Sequence, residues 1–184
     1  MLKIATLAVR TLLLLFGAVV LGVSITLAKQ QALGSPPPET SFGSFTGAFG
    51  ILVSLIGLAA LFIDKLPAIV LLGADGLASA FYLAGAIALT VALKSVSSCT
   101  SDDNGPQVQR FQNKLLNGGC EDAADVTVCP GLRDQPNLNL LKGRCQRVQA
   151  DYVFEYLAFV FGVAVIALTF VLTRNGGSRR TAYV

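Results

Sequence analysis

Apolar and polar positions alternate along the chain in long blocks. Thr11 to Ala28 (18 residues), Thr40 to Ile63 (24), Leu66 to Leu93 (28) and Tyr152 to Thr173 (22) contain no Lys or Arg. Together they hold 92 of the 184 residues. Each approaches or exceeds the roughly 20 apolar residues that cross a hydrocarbon core about 30 Å thick. Apolar residues begin near Ile4, ahead of Arg10, so the first helix is expected at about 5–28. A signal peptide with Lys3 in its basic region is the competing reading. The run, however, exceeds the ~7 to 15 apolar residues of such a peptide, and Ala28-Lys29-Gln30 is a poor cleavage site. Ser35-Pro36-Pro37-Pro38 is expected to be extended, because successive prolines remove backbone donors, with helix two following at 42–63. Asp64-Lys65-Leu66-Pro67 reads as a tight turn into helix three, 67–93, which makes two and three an antiparallel hairpin. Helix four is expected at 152–173, stopped by Arg174-Asn175-Gly176-Gly177. The pattern predicts an all-α bundle of four transmembrane helices, one domain over 1–184, with a long loop at 94–151 and a short tail at 174–184.

Composition narrows the chemistry. Only 14 % of the residues are charged and 53 % are hydrophobic, against roughly 25 % charged in a soluble domain. The chain has no His, which removes Ser-His-Asp and Cys-His pairs, histidine metal sites and imidazole acid–base catalysis. No enzyme activity and no cofactor are expected. The net charge of +3 is dispersed among the spans and forms no stripe, so no nucleic-acid partner is expected.

The placement of charge suggests an orientation. Lys3, Arg10, Lys65, Arg174, Arg179 and Arg180 against Asp64 give +5 on the side of the termini, whereas the first connection balances Lys29 with Glu39 and the long loop carries seven basic and seven acidic residues. The positive-inside rule then puts both termini in the cytoplasm, although Lys94, Arg144 and Arg147 oppose it. All four cysteines, Cys99, Cys120, Cys129 and Cys145, lie in the long loop. An even count in one polar segment points to disulfides in an oxidising compartment. Intervals of 20, 8 and 15 residues do not suit the close Cys pairs of a zinc site. Three pairings are open. The nested one, Cys99 with Cys145 and Cys120 with Cys129, is favoured because helices three and four are consecutive and their outer ends should meet. Within the loop, Val108, Phe111 and Leu115 have helical spacing ahead of Gly118-Gly119, so a short amphipathic helix and a disordered insertion are both open. No Asn-x-Ser/Thr sequon occurs.

Two acids fall inside spans. Asp75 is expected to face the bundle and make an interhelical hydrogen bond, since an ionised carboxylate there costs roughly 2.5 to 3.5 kcal/mol on insertion scales. Glu155, nearer the loop end of helix four, is too far along the membrane normal to pair with it. Gly43, Gly47, Gly73, Gly76 and Gly85 allow close helix approach, either within the bundle or between copies of the chain. Arg174, Arg179 and Arg180 are candidates for lipid headgroup contact or for simple anchoring of the topology. The terminal Thr181-Ala182-Tyr183-Val184 suits a carboxylate-capturing groove only weakly.

Arg10 entering helix one with Leu21-Gly22 beyond it, Pro67 and Asp75, Leu83-Ala84-Gly85 with an exit ending at Cys99, and Arg144-Cys145-Gln146 with Gln149 form a connected set. In these residues the chain resembles the fungal MARVEL-domain membrane proteins, particularly the non-classical export protein group. The resemblance covers essentially the whole chain and is most specific from Pro67 to Cys99. It implies one cysteine pair, matching Cys99 and Cys145, with Cys120 and Cys129 in an apparent insertion. It further implies a non-enzymatic organiser of the plasma membrane, a scaffold of eisosome-like lateral compartments with a role in non-classical export. The implied partners are membrane lipids, other membrane or eisosome proteins, and further copies of the chain. A tetraspanin-like adaptor is the main alternative, but its Cys-Cys-Gly motif is absent. A claudin-like order, with the large loop first, is excluded. A small transporter or channel would need a stripe of polar residues along one route.

Overall fold

The computed structural model describes residues 2–61, 67–123, 126–128 and 138–180. The side chains of 2, 68, 121–128, 138, 173 and 175–180 fall outside that description. Five helices and one hairpin follow in order: α1 (Leu2–Lys29), α2 (Pro38–Ala60), α3 (Ala68–Leu93), α4 (Asn104–Gln112), β1 (Glu121–Ala123), β2 (Val126–Val128) and α5 (Leu138–Arg180). Lys3–Lys29, Pro38–Ala60, Ile69–Leu93 and Asn139–Leu172 are long and apolar enough to cross a membrane. These four form a closed ring in which α1 and α3 each pack on α2 and α5. The outward faces keep Leu15, Leu52, Ile69 and Val160 exposed, as suits a lipid solvent.

Several boundaries differ from the expected ones for local reasons. α2 begins at Pro38, which occupies its first turn. There the missing N–H has no intrahelical partner to lose, and Glu39 beside it favours the positive helix end. The expected turn at Asp64-Lys65-Leu66 lies outside the described residues. α5 begins at Leu138, so the end of the expected loop is helical. Leu141, Arg144, Cys145, Val148 and Asp151 are buried, which continues the three-to-four residue period of the span back through the segment. α5 also runs past Gly176-Gly177 to Arg180. Two glycines cost a helix only about 1 kcal/mol each, and a glycine stop requires positive φ, which occurs at Gly34, Gly118 and Gly119.

The long segment packs on the loop-side end of the ring. α4 forms over part of the predicted amphipathic stretch, but Val108 is exposed. The side chain it buries is Arg110, which donates to the carbonyls of Ser98 (2.7 Å) and Ser101 (2.9 Å). Leu115 and Leu116 then join Leu27, Leu89, Leu93, Leu141 and Val148 in a core at this end. The amides of Ala32 and Leu33 both donate to Gly118 O (2.8 and 3.1 Å), fastening the segment to the α1–α2 connection. Gly119, at φ 92°, lies so close to the Leu33 carbonyl that a Cβ has no room. The β1–β2 hairpin is antiparallel, with Asp122 opposite Thr127.

Candidate functional site

The ring encloses a column of polar side chains, supplied by helices whose outer faces are apolar. Toward the end bearing the termini, Arg10 on α1 donates to both carboxylate oxygens of Asp75 on α3, at 3.2 Å to Oδ1 and 2.9 Å to Oδ2. The two side chains are 2 % and 3 % exposed. Gly57 of α2 makes room for this pair, since its Cβ would occupy the space of the Arg10 guanidinium. Asp75 therefore meets its expectation of facing the bundle, but its partner is a full charge. Arg10, counted above as a charge at the membrane boundary, lies inside the ring.

Farther along, Thr46 of α2 donates to Glu155 Oε1 of α5 (3.1 Å). The Glu155 carboxylate rests against Gly85, where a Cβ would lie 2.5 Å from Oε1 and 2.7 Å from Oε2. One turn nearer the loop, Ser24 of α1 donates to Asp151 Oδ2 (2.6 Å). Asp151 and Glu155 are both fully buried. Beyond them Arg144 donates to Leu116 O (2.8 Å) and Gln30 O (3.0 Å). Asp151, assigned above to the loop, is thus a third buried acid. The signal for it was present: Asp151 and Glu155 are four apart, on one face of a helix.

Contacts across the ring follow its diagonals. Arg10–Asp75 joins α1 to α3, and Thr46–Glu155 joins α2 to α5, the pairs of helices that are not neighbours in the ring. Hydrogen bonds inside hydrocarbon face no competition from water, so such pairs fix which helix faces inward.

The expected packing glycines divide. A Cβ at Gly47 would lie 2.6 Å from Leu21 N and 2.9 Å from Gly17 O, so α1 and α2 approach backbone to backbone there. Gly43 lies against Ser24, and Gly85 holds Glu155. Gly73 and Gly76 have nothing within 4 Å; Gly73 is exposed on the side of α3 away from Asp75, and Gly76 is half-buried at its flank. Cys99 and Cys145 form a disulfide with a Cα separation of 5.3 Å. Cys120 is also disulfide-bonded. Its expected partner Cys129 lies outside the described residues. Arg174 is exposed on α5, and the side chains of Arg179 and Arg180 lie outside the description. Among the described residues no group of three or more His, Cys, Asp or Glu is placed to hold a metal ion.

A family model described as MARVEL, a membrane-associating domain, matches residues 3–168. The match takes in the first three spanning segments, the fourth as far as residue 168, and the Cys99–Cys145 disulfide. Comparison with curated proteins and with solved structures finds no match.

Proposed function

The chain belongs to the MARVEL family of membrane-associating domains, and on that premise we propose that it is a non-enzymatic organiser of lateral compartments in the plasma membrane. The observation that carries this reading is the outward face of α3. Gly73 and Gly76 have open space around them, and Ile69, Val70 and Leu77 beside them are exposed. Small residues among exposed apolar ones allow another helix to approach closely in a bilayer. A second copy of the chain or another membrane protein is the partner this face suits. The same reading has both termini in the cytoplasm, eisosome-like compartments as the site of action, and support of non-classical export as the consequence.

A fluorescent fusion of the full chain tests the proposal. It should gather into stable surface patches, and Gly73→Leu with Gly76→Leu should disperse them while leaving the protein in the membrane. A uniform distribution of the unaltered chain overturns the reading.

A small transporter is the second reading, and one observation favours it: Asp151 Oδ1 and Glu155 Oε2 are buried without a hydrogen-bond partner among the described residues. Ion flux in liposomes containing the purified chain, lost in Glu155→Gln, would support it over the organiser.

A further inference from the structure

A cavity of about 860 Å³ opens at the loop-side end of the ring, bounded by Pro38 and Glu39 of α2, Ala92 of α3, and Phe111, Lys114 and Asn117 of the long segment. Its volume is that of a small-molecule site, for which about 300 to 1,000 Å³ is usual. It carries one acid and one base, Glu39 and Lys114, and neither is paired with an opposite charge among the described residues.

From the cavity's edge at Pro38 and Ala92, one helical face of α2 and one of α3 lead toward the middle of the span. On α2, Pro38, Phe42, Phe45 and Phe49 follow at steps of three and four, and on α3, Ala92, Ala88, Ala84 and Phe81 do the same. Each series lies along one helical face. Phe81 closes the far end, packing on Phe42, Phe45 and Phe49 with ring centroids 6.2, 5.5 and 5.4 Å apart. Phe45 and Ala84 are exposed above it. From Ala92 to Phe81 the helix rises about 16 Å, close to half of a hydrocarbon core about 30 Å thick. The α2–α3 crevice thus runs from the cavity bearing both charges, between an aromatic face of α2 and a row of alanines on α3, down to the Phe81 ring that fills it at Phe42, Phe45 and Phe49.

We propose that this crevice is a binding site for a zwitterionic phospholipid of the loop-side leaflet, its phosphate at Lys114, its amine at Glu39 and one acyl chain between Phe42, Phe45 and Ala88. An anionic headgroup satisfies Lys114 but places its charge near Glu39, so the site discriminates by charge pattern. The inference stands apart from the scaffold reading, because patch formation has no bearing on retention of a single lipid.

Native mass spectrometry of the full chain released from nanodiscs of equal phosphatidylcholine and phosphatidylglycerol tests it. One retained phosphatidylcholine per chain is expected, favoured over phosphatidylglycerol by about tenfold. Lys114→Glu, an exposed change, should lower retention about fivefold, and Ala88→Phe should abolish it by filling the slot. Both variants should keep the melting temperature of the parent chain. Equal retention of the two lipids, no retained lipid, or a phosphatidylcholine adduct that survives both substitutions overturns the proposal.

Discussion

Arg10 and Asp75 stand 65 positions apart in the chain and meet in a two-point ion pair across the diagonal of the helix ring. Breaking such a pair leaves a buried charge without its partner, at a cost of about 3 to 5 kcal/mol. Asp75→Leu and Arg10→Met should each lower the melting temperature in detergent, followed by circular dichroism. The double variant should recover much of the loss, because it removes both charges together. A double-mutant cycle with no coupling would show that the pair does not hold the fold.

Gly85 and Gly73 should respond in opposite directions to the same change. Gly85→Ala pushes a methyl group into the Glu155 carboxylate and should destabilise by about 1 to 3 kcal/mol. Gly73→Ala enters open space and should gain up to about 1 kcal/mol of helix propensity. Melting curves of the two variants side by side check this.

Thr46 and Glu155 separate the loss of a hydrogen bond from the loss of an ionisable group. Thr46→Val removes the donor to Glu155 Oε1 and should cost about 1 kcal/mol or more. Glu155→Gln keeps the acceptor and removes the ionisable group from a fully buried position, so the melting temperature should hold or rise. A large fall in Glu155→Gln would show that the carboxyl group itself is needed.

The disulfide should contribute strongly to stability. Cys99 and Cys145 are 46 positions apart, and closing a loop of that size is worth about 3 to 4 kcal/mol in the chain-entropy account. Non-reducing peptide mapping should recover the Cys99–Cys145 linked pair. Reduction should lower the melting temperature at least as much as Cys99→Ser does, since it also opens the disulfide of Cys120.

Arg144 should govern how firmly the long segment is seated. Arg144→Met removes the donors to Leu116 O and Gln30 O. Hydrogen exchange at the amides of Ala32 and Leu33, which bond to Gly118 O, should then quicken relative to the helices. Unchanged exchange would place the fastening elsewhere.

The spans were legible because lipid leaves a sequence signal that water does not, namely runs of 18 to 28 residues without a basic side chain. Asp75 was legible for the same reason, as an exception within such a run. Its partner was not, because Arg10 lies near the start of its helix, where a charge ordinarily marks the membrane boundary, and nothing local ties it to a residue on α3. Asp151 was obscured by its neighbours Arg144 and Arg147, which gave the start of α5 a polar composition while its buried face kept the helical period. The glycines show a further limit. Composition marks Gly43, Gly47, Gly73, Gly76 and Gly85 alike, and only the rotation of each helix, set by the diagonal pairs, decides which face inward.

The 43 residues of α5 form one helix, about 65 Å long at 1.5 Å per residue and roughly twice the thickness of a hydrocarbon core. A rod with no joint behaves as a lever. It joins the stretch at Cys145, tied through Cys99 to the chain leaving α3, to the exposed Arg174 at the other end of the span with no break between them. Because α5 packs on both α1 and α3, any tilt of that rod is shared by the ring as a whole.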